Sequence, residues 1–319
     1  MRIGIVTPAP PGSIQGNRVT ALRWARRLRE LGHRVKVVQA YSGEGFDLLL
    51  GLHLRHSAEA AWKFRQKYPH RPLLMALTGT DIYGMQLDQE ARALLRAAQG
   101  LIALQPLALK RLPGWARRKA HVIYQSAPAL TRLPPARDRF DACMLSHLRK
   151  VKDPLLAARA VRELPAPSRI RILHAGEVRE AGMEQMAKEE MSRNPRYRWL
   201  GALPSGRARQ LLRRSRALIL PSLAEGGANA VSEAIGAGVP VLATRIPGNT
   251  GLLGRDYAGY FRAGDAYQLG RLLWQLESRP EFLHRLERQI KRLAPQFNPR
   301  RERDAWRRVL SEVNPGRLK

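Results

Sequence analysis

Residues 217–244 read ALILPSLAEGGANAVSEAIGAGVPVLAT, two apolar runs separated by a loop and a helical segment. The runs at 217–223 and 239–244 are continuously hydrophobic, as is typical of parallel strands buried on both faces. The segment 229–237 predicts a helix, so the stretch is a strand–helix–strand unit. Ligands of such units bind beside the carboxyl ends of the strands. Glu225 lies at such an end, and Glu233 follows one turn inside the helix.

The same alternation continues in both directions along the chain. Strand-like runs occupy 2–8, 34–40, 46–53, 72–79, 100–105 and 121–127, and then 141–148, 169–177 and 197–203. Helical patterns lie between them; in the first, at 18–32, the predicted buried stripe is Val19, Leu22, Ala25, Leu28 and Leu31. We therefore predict an α/β fold of two Rossmann-like, doubly wound domains that face each other across a cleft.

The Pro-rich segment 128–139 has the composition of a linker between the two domains. We place the first domain at 1–130 and the second at 140–298. Residues 299–319 are predicted as a C-terminal helix that can pack back on the first domain. Both domains are long enough to bury a core of their own.

Charge is the most unusual feature of the composition. The 319 residues include 56 Lys and Arg against 26 Asp and Glu, a net charge of +30, and residues 1–140 and 141–319 each carry +15. An even distribution argues against a basic nucleic-acid arm, and no nucleic-acid-binding motif is present, so we expect no nucleic-acid partner. An Arg-rich composition explains most of the excess. The functional alternative is an electrostatic field that attracts small polyanions.

Several other classes are disfavoured. No apolar run is long enough to span a membrane, and the N-terminus lacks the apolar core of a signal peptide, so we expect a cytoplasmic enzyme. The apolar stripe of the first helix is the ordinary core-facing kind, which argues against contact with a membrane surface. The single cysteine, Cys143, excludes an internal disulfide, and no D-x-D string occurs. We expect neither a metal nor a cofactor.

Two strings in the second domain carry the candidate donor site. In the first, Glu225 is suited to binding sugar hydroxyls and Glu233 to binding a ribose, while Asn229 is a suitable N-cap for a helix whose free N–H groups face a diphosphate. Glycines let the backbone approach a ligand closely. The second string, SHLRKVKDP at 146–154, follows a strand and supplies cations. The candidate donor residues are Glu225, Gly226, Gly227, Ala228, Asn229, Glu233, His147, Arg149 and Lys152.

These strings resemble the retaining nucleotide-sugar glycosyltransferases that have two Rossmann-like domains and an E-x7-E signature. The resemblance implies that Arg149 and Lys152 neutralise the donor diphosphate and that both, with Glu225, act in catalysis. The first loop, PPGSIQGN at 10–17, departs from the G-x-G-x-x-G fingerprint, which argues against a dehydrogenase. It resembles the glycine-rich loop that faces the leaving diphosphate and the acceptor in these transferases.

Candidate acceptor residues follow the strands of the first domain. Arg18 with Asn17 is the proposed clamp for an acceptor anion, at the start of the first helix. The string TGTD at 78–81 stands where the family often has a sugar-binding His, which puts that family role in doubt here. The full acceptor set is Gly12, Gly16, Asn17, Arg18, His53, Thr78, Gly79, Thr80, Asp81, Gln125 and Ser126.

Longer strings, including TPAPPGSIQGNRVTALRWARRLRELGH and HLRKVKDPLLAARA, resemble the selenosugar synthases of selenoneine biosynthesis over nearly the whole chain. That resemblance implies transfer of the sugar of UDP-N-acetylglucosamine or UDP-glucose to selenium of selenophosphate, with release of UDP and phosphate. A selenophosphate nucleophile is anionic and needs no strong general base. The alternative is a conventional UDP-sugar glycosyltransferase that acts on a glycan, a lipid or a small alcohol.

Overall fold

The computed structural model of the protein describes residues 1–83 and 87–313 and, for Thr80, the backbone alone. The chain forms two compact units. The first contains Met1–Ser126, the loop Glu225–Asn229 and the C-terminal segment from Pro299. The second contains Ala127–Ala224 and Ala230–Asn298.

The first unit has a sheet of six parallel strands: β1 (Arg2–Val6), β2 (Arg34–Val38), β3 (Leu48–Leu52), β4 (Leu73–Leu77), β5 (Gly100–Ala103) and β6 (Ala120–Val122). Their order is β2-β1-β3-β4-β5-β6, and Ile5 of β1 pairs with Val37 on one side and Leu50 on the other. All residues of β3 and β4 are buried, because helices cover both faces of a parallel sheet. The helices in this part of the chain are α1 (Gly16–Glu30), α2 (Ala58–Lys67), α3 (Thr80–Tyr83), α4 (Gln89–Ala97) and α5 (Gly114–Arg117), with a 3₁₀ helix at Pro106–Arg111.

Helix α1 buries a face that only partly overlaps the one the sequence predicted. Trp24 is fully buried, whereas Leu22 is 48% exposed and Val19 and Leu31 are only partly buried. The buried positions are Thr20, Ala21, Trp24, Ala25 and Leu28. The predicted stripe treated Leu22 as buried and left out Trp24 and the polar Thr20. The buried face is therefore displaced by about one position around the helix.

The second unit also has six parallel strands: β7 (Phe140–Leu145), β8 (Ile170–Ala175), β9 (Tyr197–Trp199), β10 (Ala217–Leu220), β11 (Val241–Thr244) and β12 (Tyr260–Phe261). Their order, β12-β11-β10-β7-β8-β9, reverses direction between β7 and β10, the point at which doubly wound sheets bind ligands. Its helices are α6 (Leu156–Arg162), α7 (Met183–Arg193), α8 (Ser205–Arg214), α9 (Asn229–Gly236), α10 (Pro247–Leu253), α11 (Ala266–Ser278) and α12 (Pro280–Leu293), with 3₁₀ helices at Lys150–Lys152 and Ala294–Phe297. The predicted α/β class with two Rossmann-like parallel sheets is confirmed.

The Pro-rich segment is hydrogen-bonded along its length to the second unit. The Leu130 N–H donates to Gly236 O at 2.9 Å, and the Arg132 guanidinium donates to Ser215 O at 2.8 Å and to Glu287 Oε1 at 3.3 Å. The segment predicted as a linker between the domains thus belongs to the second unit.

The last helix, α13 (Pro299–Val313), packs within the first unit. Trp306 is fully buried, and its ring meets that of Trp24 edge to face with centroids 5.0 Å apart. Val309 and Leu310 extend the same apolar contact into the core beneath the sheet. Among the helices within 1–83 and 87–313, none has the length and apolarity needed to cross a membrane.

Candidate active site

The loop between β1 and α1 collects the predicted anion-binding residues of the first unit. Gly12 has φ +78°, a conformation that favours glycine, and Gly16 begins α1, which puts Asn17 and Arg18 in its first turn. The Nε and Nη1 atoms of Arg18 are buried without a hydrogen-bond partner among the described residues, as is Ser13 Oγ. Buried polar atoms are normally paired, so these atoms are candidates for contact with a bound polar group.

Asp81 joins the loops that follow β3 and β4. Its buried carboxylate accepts hydrogen bonds from the N–H groups of Gly79 at 2.7 Å, Leu54 at 2.9 Å and Thr78 at 3.2 Å. Those bonds occupy the acceptor oxygens that the sequence assigned to a ligand. Thr78 Oγ1, in contrast, is buried without a partner within the described chain. The side chain of Thr80 lies outside what the structure describes.

His53 follows β3 directly and has a strained backbone conformation, with φ 71°. It is 7% exposed and its ring lies 4.1 Å from that of His56. Burial lowers the pKa of His53, and the charge of Asp81 opposes that shift. His53 is therefore a neutral ring at neutral pH, a hydrogen-bonding group rather than a cation.

The loop Glu225–Asn229, hereafter the donor loop, packs as part of the first unit. A Cβ on Gly226 would lie 2.3 Å from Thr78 O, and one on Gly227 would lie 2.6 Å from Leu104 Cβ. Sequence reasoning attributed both glycines to the approach of a ligand. In the structure the close approach is to the protein itself, since neither position has room for a methyl group. Glu225 is 8% exposed and Ala228 is buried beside it.

Asn229 is held by α1 rather than serving as the predicted N-cap. It is the first residue of α9, and its Oδ1 accepts a hydrogen bond from Arg23 Nη2 at 2.8 Å. Its Nδ2 donates to Gly16 O at 3.3 Å and to Thr20 Oγ1 at 3.4 Å. The side chain is thus used for attachment, while the first-turn N–H groups of α9 have no acceptors within the helix.

Gln125 and Ser126 lie beyond the end of β6, which is shorter than the predicted strand at 121–127. The Gln125 amide, in the orientation that gives each neighbour a complementary partner, donates to Gly227 O at 2.9 Å and accepts from Thr20 Oγ1 at 2.6 Å. Ser126 donates to the carboxylate of Glu302 on α13. Both side chains are therefore engaged within the protein rather than exposed to a ligand.

The second unit collects its candidates where its sheet reverses direction. After β7, His147 Nδ1 accepts a hydrogen bond from Glu177 N at 3.3 Å, so the neutral ring carries its proton on Nε2. Burial lowers the pKa of His147, and Arg179, Lys152 and Arg149 lower it further against the opposing charge of Glu177. His147 is then a neutral donor among cations.

Arg149 and Lys152 lie on the turn that follows. Arg149 is 47% exposed along its side chain, and its Nε is 3.7 Å from Glu180 Oε1. The turn is tied to the loop after β10, because Leu223 N donates to Val151 O at 2.9 Å. The predicted cations thus lie after the carboxyl end of β7, on a turn that is hydrogen-bonded to the loop after β10.

Glu233 extends from α9 within the second unit. Its Oε1 lies 3.7 Å from Arg209 Nε of α8, and both side chains are partly exposed. An exposed pair of this kind contributes little to stability, so the carboxylate can exchange one hydrogen-bonding partner for another at small cost.

His174 is hydrogen-bonded to the backbone of the loop that contains His147. It is fully buried, with Nε2 2.8 Å from Ser146 O and Nδ1 2.8 Å from the Tyr197 hydroxyl. Burial lowers its pKa to about 4. The ring is therefore neutral, with Nε2 donating to the carbonyl and Nδ1 accepting from the hydroxyl. Gly176 packs equally tightly here, since a Cβ on it would lie 1.8 Å from Ser146 O.

The structure groups the candidates into two sets, one in each unit. The first unit brings the acceptor residues together with the donor loop, and the second brings His147, Arg149 and Lys152 together. Sequence reasoning missed Arg23, Glu302 and His174. Nothing in the local sequence identifies them, because their partners lie in distant segments. Among the described residues, no group of three or more His, Cys, Asp or Glu side chains is arranged to hold a metal ion.

The chain is similar to known proteins in its sequence family and in its fold. The family model described as glycosyl transferases group 1 matches residues 131–293. The chain is similar in structure to HepE of Anabaena in complex with UDP and glucose, at 16% identity and TM-score 0.77 over 98% of this chain and 99% of that one. It is also similar to a sucrose-phosphate synthase of Thermosynechococcus elongatus, at 14% identity and TM-score 0.79 over 98% and 99%. A glycosyltransferase of Rickettsia africae matches at 14% identity and TM-score 0.78 over 99% of both chains. A search of the curated proteins found no match.

Proposed function

The chain belongs to the glycosyl transferases group 1 family, and on that premise we propose that it transfers a sugar from a UDP-linked donor to the selenium of selenophosphate. The donor is UDP-N-acetylglucosamine or UDP-glucose. Its UDP part is supported by the similarity to HepE, whose structures contain UDP and UDP-glucose. The selenium acceptor is supported by the resemblance of the sequence to selenosugar synthases.

The second unit supplies the donor side of the proposed reaction. As the sugar leaves, negative charge develops on the UDP diphosphate, and fixed cations stabilise that charge. We assign this role to Arg149 and Lys152. The neutral His147 donates a further hydrogen bond from Nε2, and Glu233 binds the ribose hydroxyls.

The donor loop supplies the remaining contacts to the nucleotide-sugar. Glu225 accepts hydrogen bonds from the sugar hydroxyls. The N–H groups at the start of α9, which have no acceptors within the helix, bind the diphosphate, since a helix N-terminus carries partial positive charge. Three charge-neutralising elements around one diphosphate are enough for the chemistry, and the proposal involves no metal.

The observation that carries the acceptor assignment concerns the guanidinium of Arg18. Two of its nitrogen atoms are buried without a protein partner in the described chain. Buried polar atoms that lack a hydrogen-bond partner are costly, and an anionic acceptor would supply that partner. Ser13 Oγ and Thr78 Oγ1 are further buried polar atoms, in loops at the carboxyl ends of β1 and β4. Together they suit a compact, phosphate-like anion.

The proposed reaction has two balanced steps. Selenium of selenophosphate attacks C1 of the sugar, the C1–Se bond forms, and the C1–O bond breaks with its electron pair leaving on UDP. Water then cleaves the P–Se bond, which releases phosphate and the 1-selenosugar. Because selenophosphate is already anionic, the protein's task is to hold two anions together and to stabilise the leaving group.

The test is an anaerobic incubation of the purified protein with UDP-N-acetylglucosamine or UDP-glucose and selenophosphate, followed by mass spectrometry. We expect equimolar UDP and a selenium-containing sugar. Arg18→Ala should raise KM for selenophosphate by about tenfold, the effect of one lost charge-assisted hydrogen bond, and leave KM for the UDP-sugar unchanged. Arg26→Ala is the matched control, because Arg26 lies on the same helix, is 74% exposed and pairs only with Glu30 among the described contacts.

Two outcomes would contradict the proposal. Absence of the selenosugar excludes selenophosphate as acceptor. UDP release that ignores selenophosphate but requires a glycan, lipid or small alcohol establishes the conventional glycosyltransferase instead. An Arg18→Ala variant with an unchanged KM for selenophosphate would remove the assignment of the anion clamp.

A further inference from the structure

Glu302, on helix α13, has the environment of a group that orients others. Its side chain is fully buried. Oε1 accepts hydrogen bonds from Trp24 Nε1 at 3.1 Å and from Arg23 Nε at 3.3 Å. Oε2 accepts from the Ser126 hydroxyl and lies 3.6 Å from Arg27 Nε. Both carboxylate oxygens are thus engaged by groups from α1 and from the segment that follows β6.

Arg23 connects Glu302 to the donor loop. Its side chain is 14% exposed; Nε binds Glu302, and Nη2 donates to Asn229 Oδ1 at 2.8 Å. The guanidinium is planar and rigid, so a carboxylate that fixes one N–H direction also fixes the other. Glu302 therefore contributes to the position of Asn229 without touching it, together with the Gln125 amide, which donates to Asn229 Oδ1 at 3.0 Å.

We infer that Glu302 is a positioning residue for nucleotide-sugar binding, acting through Arg23 on Asn229 and hence on the donor loop. The inference rests on the proposed function, in which this loop binds the UDP-sugar. On this inference, the affinity for the UDP-sugar also depends on α13, a helix that begins about 70 residues after Asn229.

Anchoring α13 alone does not account for Glu302. The buried contact of Trp24 with Trp306, together with Val309 and Leu310, already packs this helix into the apolar core. A buried ion pair adds little net stability over apolar packing, whereas loss of one partner leaves an uncompensated buried charge. With a neutral side chain at 302, Arg23 loses its buried counter-ion, and we expect its guanidinium to rotate toward solvent. Asn229 Oδ1 then loses the hydrogen bond from Arg23 Nη2.

The experiment measures affinity for UDP by calorimetry on the full chain. Glu302→Gln should weaken UDP binding about tenfold, the effect expected when a charge-assisted hydrogen bond is lost. Glu312→Gln is the matched control: Glu312 lies on the same helix, is 60% exposed, and faces His121 at 3.7 Å. It should leave UDP affinity unchanged.

A double-mutant cycle separates positioning from general destabilisation. In an Asn229→Ala background, Glu302→Gln should change UDP affinity by less than about twofold, because the connection is already broken. An unchanged affinity in Glu302→Gln, or an equal fold-loss in both backgrounds, overturns the inference. Should Glu302→Gln fail to fold, Arg23→Gln tests the same connection with Glu302 still paired, and the same non-additivity with Asn229→Ala is required. A wild-type chain that does not bind UDP overturns the proposed function instead, which is a distinct result.

Discussion

Buried His174 makes the stability of the protein sensitive to mild acid. Its ordinary pKa is 6.5, and burial lowers the pKa in the folded chain to about 4. The unfolded chain therefore takes up a proton first as the pH falls. The stability contribution is complete above pH 6.5 and declines as the pH falls toward 4. By pH 5 the loss is about 2 kcal/mol, since each unit of pKa difference corresponds to about 1.4 kcal/mol.

The assay is urea denaturation of wild type and of His174→Gln at about pH 8 and about pH 5. Glutamine does not titrate in this range, so subtracting its pH dependence isolates His174 from other histidines and carboxylates. Wild type should lose about 2 kcal/mol more than the variant between the two conditions. Tyr197→Phe removes the hydroxyl that binds Nδ1 but keeps the imidazole, and should retain most of the pH dependence.

The reasoning is refuted if wild type and His174→Gln lose the same free energy of unfolding between the two pH values. An NMR titration gives an independent measurement of the pKa of His174. An imidazole resonance of His174 that titrates near pH 6.5 would show that the ring reaches water in the folded state and that burial does not govern its pKa.

Three further predictions concern the candidate site. Arg149→Ala and Lys152→Ala should each lower turnover by ~10²–10³-fold while the fold survives, and near-normal rates in both variants would exclude the diphosphate role. Gly226→Ala should destabilise the protein by about 1–3 kcal/mol in thermal denaturation, because the new methyl group would lie 2.3 Å from a backbone carbonyl; Gly206→Ala, where nothing lies within 4 Å, should be tolerated. Glu233→Ala should chiefly weaken UDP binding in calorimetry, and an unchanged affinity would count against its contact with the ribose.

Much of the fold was predictable, since burial on both faces leaves a local signal. The continuous apolar runs of β3, β4 and β10 identify interior parallel strands without any knowledge of their neighbours. Short elements leave no such signal. The two-residue strand β12 shows no period, and the end of β6 was overestimated because apolar residues continue past its last ladder hydrogen bond.

The sequence predicted candidate residues for the site but not the contacts that they make. Strand ends in a parallel sheet lie at one edge, which is why Arg18, Thr78 and Arg149 were chosen as candidates from their places after strands. The contacts of Gly226 and Gly227 differ from those predicted, because close approach of a ligand and close packing against the protein both require glycine. The contacts of Asn229 differ as well, since its side chain is bonded to α1.

The sequence by itself determined the class of fold, the positions of the strand ends and the cations that follow them, because hydrophobic periodicity and helix and turn signals act over a few residues. Only the tertiary structure decided which polar groups meet. Arg23 and Glu302 are 279 residues apart in sequence and form one buried pair. A buried polar side chain is paired with whichever group the packing brings next to it, and the local sequence does not indicate which group that is.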